Sequence, residues 1–407
     1  MKLKKIKIKN YKSIFNPIEI DQFSKFNILV GPNNAGKTNI LDAIEFFFNP
    51  EKPQLKKRDS EMILSLSGES KDLVVKEGKL QSNPDYINSL VRIDKNPSFE
   101  LIATEKLPSF KSSHPKKYKK FSSALESNFQ NIQISEELFR ANVKTDHGKE
   151  SLRRMGDGFK RLFVILFYLY HPTYEIILID EPELHLHPSV IKKFLKILEK
   201  NNLQKQVVMT THHPTLVQAK YLDKTWRVSR DADRSTSVYM FDEHSSLDVD
   251  RLVQEINDDN SAMLFADKVL LVEGVSDSIL MRGLIDNFYP GKKDIKVIYS
   301  GGVGDIDLYE KVCDIFKIPY AVMIDGDMLD MYWNKKFGKD KNATDYKKRR
   351  LLEEKGIFVL NGDLEENYPK KYQKKDTKPL NALLASNKIT EEDFSKMKEL
   401  KKVVKNL

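Results

Sequence analysis

Apolar positions in the first half of the chain fall into short blocks. In "KLKKIKIKNYKSI" Leu3, Ile6 and Ile8 stand among lysines, an alternation that predicts an edge strand. "FNILV" (Phe26–Val30), Ile176–Ile179 and the run inside "QVVMTTHHP" are short enough and apolar enough to predict buried strands, and "KTNILDAIEFFF" has helical spacing. "YINSLVRIDKNPSFELIAT" suggests a hairpin, "FKSSHPKKYKKFSS" reads as a basic loop, and "KTWRVSRDADRSTSVYMF" reads as a closing hairpin. A polar, helix-like stretch spans about Ser246 to Asp267, after which strand and helix alternate. Strands are expected at Val269–Val272, in "IKVIYSGG", in "YAVMI" and near Ile357, with helices over Ser276–Ile285 and Ile306–Ile315. Short connections between alternating elements predict a mostly parallel sheet and an α/β fold.

At 407 residues the chain exceeds what one core usually serves, so two domains are expected. The boundaries read as 1–245, a linker helix over 246–265, and 266–407, with 51–150 an insert of unassigned role. Charged residues make up 31% of the chain and no apolar run approaches the length needed to cross a bilayer, which predicts a cytoplasmic protein with no membrane partner. The single cysteine, Cys313, excludes an intrachain disulfide framework and reads as a core residue. The net charge of +9 is unevenly placed. Lys370 to Leu407 carries 11 lysines against 5 acids, which suits a polyanionic partner held through its phosphates, DNA above all. No repeat or long heptad run is present.

Candidate chemistry gathers at the ends of the expected strands. After Val30, Gly31, Gly36, Lys37 and Thr38 fit G-x-x-x-x-G-K-[ST] between a strand and a helix, with Asn34 and Asn39 in and beside the loop. Backbone N–H groups of such a loop face ATP phosphates, the lysine neutralises them, and Thr38 ligates Mg²⁺. Asp180 closes the next strand and can hold the same ion; Glu181 can polarise the attacking water, and His212 can contact a γ-phosphate. His185 and His187 have metal-like spacing, yet no third ligand stands near.

This order resembles the ABC-type P-loop ATPases. "SLRRMGDGFKRL" occupies the place of their signature loop, with Gly156 and Gly158, and implies a homodimer or higher oligomer in which the loop reaches the partner's ATP. Asp157 stands where a serine is common, so its charge needs an offset from Arg153, Arg154 or Lys160.

In the second half Glu273 follows the first strand, while Asp325 and Asp327 follow the third. Carboxylates converging at one sheet end repel, so a divalent cation is the simplest reason for the set, and oxygen ligands favour Mg²⁺ or Mn²⁺. The E-G and D-G-D pair resembles the Toprim domain. An ABC-type ATPase followed by a Toprim domain resembles the OLD family of ATP-dependent nucleases, which includes the Gabija nuclease. The resemblance implies a metal role for Asp277 and Glu365 and a phosphate-stabilising role for Lys378, with Asp363, Glu366, Lys374 and Lys375 as substitutes. It also implies two-metal phosphodiester hydrolysis, ATP with Mg²⁺ (or Mn²⁺) at both sites, and anti-phage defence beside a second defence protein. The expected function is therefore an ATP-regulated, metal-dependent DNA endonuclease, with ATP driving or inhibiting the cut. The alternative is an ATP-gated sensor or scaffold whose Toprim fold binds without cutting. Topoisomerase and primase activities are disfavoured, for lack of a separate tyrosine-bearing domain and of a polymerising or zinc module.

Overall fold

The computed structural model describes residues 2–48, 60–66, 69–76, 79–80, 89–94, 98–128, 133–134, 142–145, 148–151, 154–199, 204–241, 258–301, 303–339 and 342–407. These form two compact units, Met1–Phe241 and Asp242–Leu407.

In the first unit a six-stranded sheet runs in the order Thr236–Met240, Thr225–Arg230, Phe26–Val30, Gln206–Thr210, Ile176–Asp180 and Leu90–Ile93. All neighbours pair in parallel except the first two strands, which form the expected hairpin. Three of the four inner strands, Phe26–Val30, Gln206–Thr210 and Ile176–Asp180, are buried at every position, which is why they read as continuous apolar runs. Parallel register brings Asp180 opposite Thr210 and sets the P-loop next to Thr210, so the candidate ATP residues share one sheet end. The helix Lys37–Phe48 buries Ile40, Leu41, Ile44, Phe47 and Phe48 on one face. Asp157–Tyr170 is buried nearly all round.

Three expectations need correction. Leu3–Lys9 is not an edge strand: it lies between Ile18–Ile20 and Ser60–Leu66 in an antiparallel five-stranded sheet. One wet face produces the same alternation at the centre of such a sheet as at its edge. The described part of Tyr86–Thr104 is not a hairpin. Leu90–Ile93 pairs in parallel with Ile176–Ile179, and helical structure begins at Phe99. Phe110–Ser123 belongs to two helices, Leu107–Ser113 and Pro115–Asn128, rather than to a loop. Phe110 and Phe121 pack edge-on against Phe167 and Phe163 at centroid distances of 5.5 and 5.3 Å, while the lysines between them face outward.

The second unit holds a four-stranded, wholly parallel sheet, ordered Ile295–Tyr299, Lys268–Val272, Tyr320–Ile324 and Ile357–Val359. Helices Val275–Phe288 and Val303–Ile315 follow the first two strands in chain order. Val275–Phe288 and Lys378–Lys388 pack together, and the core runs through Leu270, Val272, Leu280, Leu284, Met323 and Ala385. Of the expected linker helix, 246–257 lies outside the described residues; Asp258–Ser261 is α-helical and Ala262–Phe265 a 3-10 turn. Among the described residues no helix is long and apolar enough to cross a membrane.

Candidate nucleotide and carboxylate sites

The ATP-type residues line a pocket of about 780 Å³ whose wall includes Asn34, Gly36, Lys37, Thr38, Asn39, Glu181, His212 and Arg230. Gly31 and Gly36 have φ of 140° and 107°, and Asn34 also has positive φ. Lys37 is buried, and its Nζ donates to the carbonyls of Gly31 and Pro32 at 2.8 Å each. Asn39 Nδ2 donates to Ser13 Oγ at 2.5 Å, while Thr236 Oγ1 lies 2.7 Å from Ser13 Oγ and donates to Ala35 O at 2.9 Å. Arg230 Nε donates to Asn34 O at 3.0 Å.

Asp180 is 3% exposed and takes hydrogen bonds from Thr210 Oγ1 at 2.5 Å and Thr38 Oγ1 at 3.3 Å, so the two residues expected to share an ion are already neighbours. Glu181 carries a left-handed φ of 52°, uncommon for a residue with a side chain. Its conformation is held from both ends. Its N–H is shared between Thr210 O and Oγ1 at 3.2 and 3.1 Å, and Arg161 Nη2 reaches Asp180 O at 2.6 Å and Glu181 O at 3.1 Å. His212 Nε2 stands 3.5 Å from Glu181 Oε1.

Gly156 caps the signature-like helix, which starts at Asp157. A Cβ at Gly158 would overlap the carbonyl of His185, so only glycine allows this approach. Asp157 is largely exposed, with Lys160 Nζ 3.9 Å away; Arg153 lies outside the described residues. His187 Nδ1 is paired with Ser189 at the start of the next helix, a local turn rather than a metal pair with His185.

In the second unit the acids sit at the carboxyl end of the parallel sheet, as such folds place functional groups. Glu273 Oε1 accepts the Asp325 N–H at 2.9 Å and ties the first strand's end to the third's. Gly326 donates its N–H to Gly362 O at 2.9 Å, and an added Cβ would come within 2.8 Å of Gly362 N and 2.9 Å of Leu360 O. Gly326→Ala is therefore expected to destabilise this unit by about 1–3 kcal/mol, the usual cost of overpacking, read as a lower denaturation midpoint. An unchanged midpoint would mean that the loop yields freely.

Asp277 is buried and turns Oδ2 to the Gly274 N–H at 2.8 Å, closing the first turn of its helix. Glu365 Oε2 pairs with Lys378 Nζ at 3.0 Å, and Asp363 lies 3.9 Å from the same amine. Burial raises the Glu273 and Asp277 carboxyls above their ordinary range, with their acidic neighbours adding to it. Asp325 is pushed up to about 7, first by burial and then by Asp277, Glu273, Asp363 and Asp327. Glu365 Oε1 is buried with no hydrogen-bond partner among the described residues. Partly buried, mutually repelling oxygen donors with one orphaned oxygen fit a hard divalent cation in chemistry. In arrangement they are open: among the described residues no three His, Cys, Asp or Glu side chains converge as ligands of one ion. Glu273 and Asp277 instead each give an oxygen to a backbone N–H.

Residues 1–96 match the AAA ATPase domain family, 104–218 the family described as "AAA domain, putative AbiEii toxin, Type IV TA system", and 264–327 the TOPRIM domain of overcoming lysogenization defect protein-like proteins. Among curated proteins, the OLD nuclease of Thermus scotoductus is 26% identical over 46% of this chain and 39% of its own length. Endonuclease GajA of Bacillus cereus is 29% identical over 36% of this chain and 26% of its own. The Old nuclease of Escherichia phage P2 is 27% identical over 38% of this chain and 28% of its own. The matched regions thus span between a quarter and two fifths of these relatives. ATPase and TOPRIM domains together imply the use of ATP and of divalent metal.

Proposed function

We propose that this chain, which joins an AAA-type ATPase domain to an OLD-like TOPRIM domain, is an ATP-regulated, divalent-metal-dependent DNA endonuclease of cytoplasmic anti-phage defence. The observation that carries the reading is the presence in one chain of two chemically distinct sites. One is a pocket of about 780 Å³ lined by Lys37, Thr38, Glu181 and His212, with Asp180 bonded to Thr38; the other is a carboxylate cluster at the end of a parallel sheet.

In the first, Lys37 and the loop N–H groups would bind the ATP phosphates, Thr38 and Asp180 would hold Mg²⁺, and Glu181 would polarise the attacking water. In the second, Glu273, Asp325 and Asp327, joined by Asp277 and Glu365, would hold Mg²⁺ or Mn²⁺, which supplies Lewis acidity at a phosphodiester. Lys378, exposed and paired with Glu365, would turn its charge to a phosphate oxygen on exchanging that partner. Lys370, Lys374 and Lys375 are exposed on the same stretch and offer further phosphate contacts. Assembly into a dimer or larger oligomer through the ATPase unit, and a second defence protein as partner, belong to the same proposal.

Incubated with supercoiled plasmid and Mg²⁺ or Mn²⁺, the protein is expected to produce nicked or linear DNA at a rate that changes as ATP is titrated. Plasmid left intact under every metal and nucleotide condition would leave the TOPRIM unit as a binding module.

A further inference from the structure

Glu183 belongs to none of the expected site residues, yet it holds the backbone on which His212 depends. Beyond Thr210 the strand Gln206–Thr210 ends and the next N–H groups leave the ladder. Thr211 N–H still reaches Leu29 O at 3.1 Å, but the His212 N–H is donated to a side chain, Glu183 Oε1, at 2.8 Å. The same oxygen accepts the Thr211 hydroxyl at 2.8 Å, and Thr211 Oγ1 in turn accepts the His213 N–H at 2.9 Å. Three successive residues are thereby tied to one carboxylate. Glu183 sits in the loop that also carries Glu181, where Leu184 N–H closes on Glu181 O at 3.2 Å and Leu186 N–H on Glu183 O at 2.9 Å. One short loop thus bears the candidate base and, two residues on, the holder of the candidate phosphate sensor.

We propose that Glu183 is a positioning residue for ATP hydrolysis: by gripping Thr211 and His212 it sets the 3.5 Å approach of His212 Nε2 to Glu181 Oε1. The inference rests on the ATPase reading above. It concerns the chemical step and not nucleotide capture, because the P-loop is held by a separate set of contacts from Ser13, Arg230 and Thr236. Both bonds fall on Oε1, whereas Oε2 is buried with no hydrogen-bond partner among the described residues. A glutamine can therefore keep an amide oxygen for both donors, though its NH2 takes the buried place of Oε2 and the charge facing Arg161 is lost. An alanine frees the segment, and displacing a reacting group by about 1 Å costs on the order of 10²-fold in rate.

The test is steady-state ATP hydrolysis with Mg²⁺, alongside nucleotide affinity, for the full chain and for Glu183→Ala, Glu183→Gln and Thr211→Val. Glu183→Ala is expected to lower kcat by about 10- to 100-fold at nearly unchanged affinity. Glu183→Gln should stay close to wild type, and Thr211→Val should fall between. Combined with Glu183→Ala, Thr211→Val should add little, since both break one grip. Wild-type kcat in Glu183→Ala, a glutamine variant as slow as the alanine, or parallel losses in affinity and kcat would each overturn the proposal. A wild-type protein that hydrolyses no ATP would instead remove the ATPase reading itself, and the inference with it.

Discussion

Lys37→Ala is expected to lower ATP affinity by about 30-fold to several thousand-fold, the effect of roughly 2–5 kcal/mol for removing one partner of a desolvated charge pair. The amine lies in the loop, 5% exposed and donating to Gly31 O and Pro32 O. A side chain held in place by its surroundings costs little to order, so most of its interaction with the phosphates appears as affinity. The variant also loses two bonds to carbonyls, at about 1 kcal/mol each, so its thermal stability must be measured beside its affinity. Isothermal titration with ATP and Mg²⁺ separates the two. An affinity within a few-fold of wild type would show that the pocket does not bind nucleotide through its P-loop. The same variant should cut plasmid at a rate that no longer responds to ATP.

The nucleotide site was legible because each of its parts is local: a glycine loop between strand and helix, or an acid ending a buried run. What was not legible acts at a distance. Arg161 and Glu183 carry no motif, and their partners are a strand-end carbonyl pair and a loop N–H that only the fold brings near. Arg230 closes the P-loop from a strand nearly two hundred residues away. A buried arginine aimed at carbonyls leaves no trace of its own in the helix Asp157–Tyr170, where Asp157 and Lys160 are charged as well. The helix over Pro115–Asn128 was hidden because lysines and serines surround its two anchors, Phe121 and Leu125. In the second unit the four strands and their parallel pairing followed from the alternation, though their order across the sheet did not. The bond from Asp277 to Gly274 N–H did not, because an acid three residues past a glycine suits a cap and a ligand equally well.

Glu273→Ala and Asp325→Ala are expected to abolish DNA cutting, by at least about 10³-fold, since metal assistance supplies several kcal/mol at 1.36 kcal/mol per decade. Their stability should move the other way from an ordinary core deletion. Burial and mutual repulsion already oppose the charged forms of these acids, and removing one relieves the rest. Melting temperatures are therefore expected to rise for Asp325→Ala, whereas Glu273→Ala also releases the Asp325 N–H and gives back part of the gain. ATP hydrolysis should be unaffected in both. Full cutting by either variant would take the carboxylate cluster out of the reaction. Asp277 then divides two roles on one measurement. Asp277→Asn keeps an oxygen for the Gly274 N–H and drops the charge, while Asp277→Ala loses the cap as well, at about 0.5–1.5 kcal/mol. Because Oδ2 is committed to that N–H, the asparagine variant is expected to retain far more cutting than Asp325→Ala. If it is instead equally inactive at full stability, the free oxygen of Asp277 is a metal ligand and the cap is secondary.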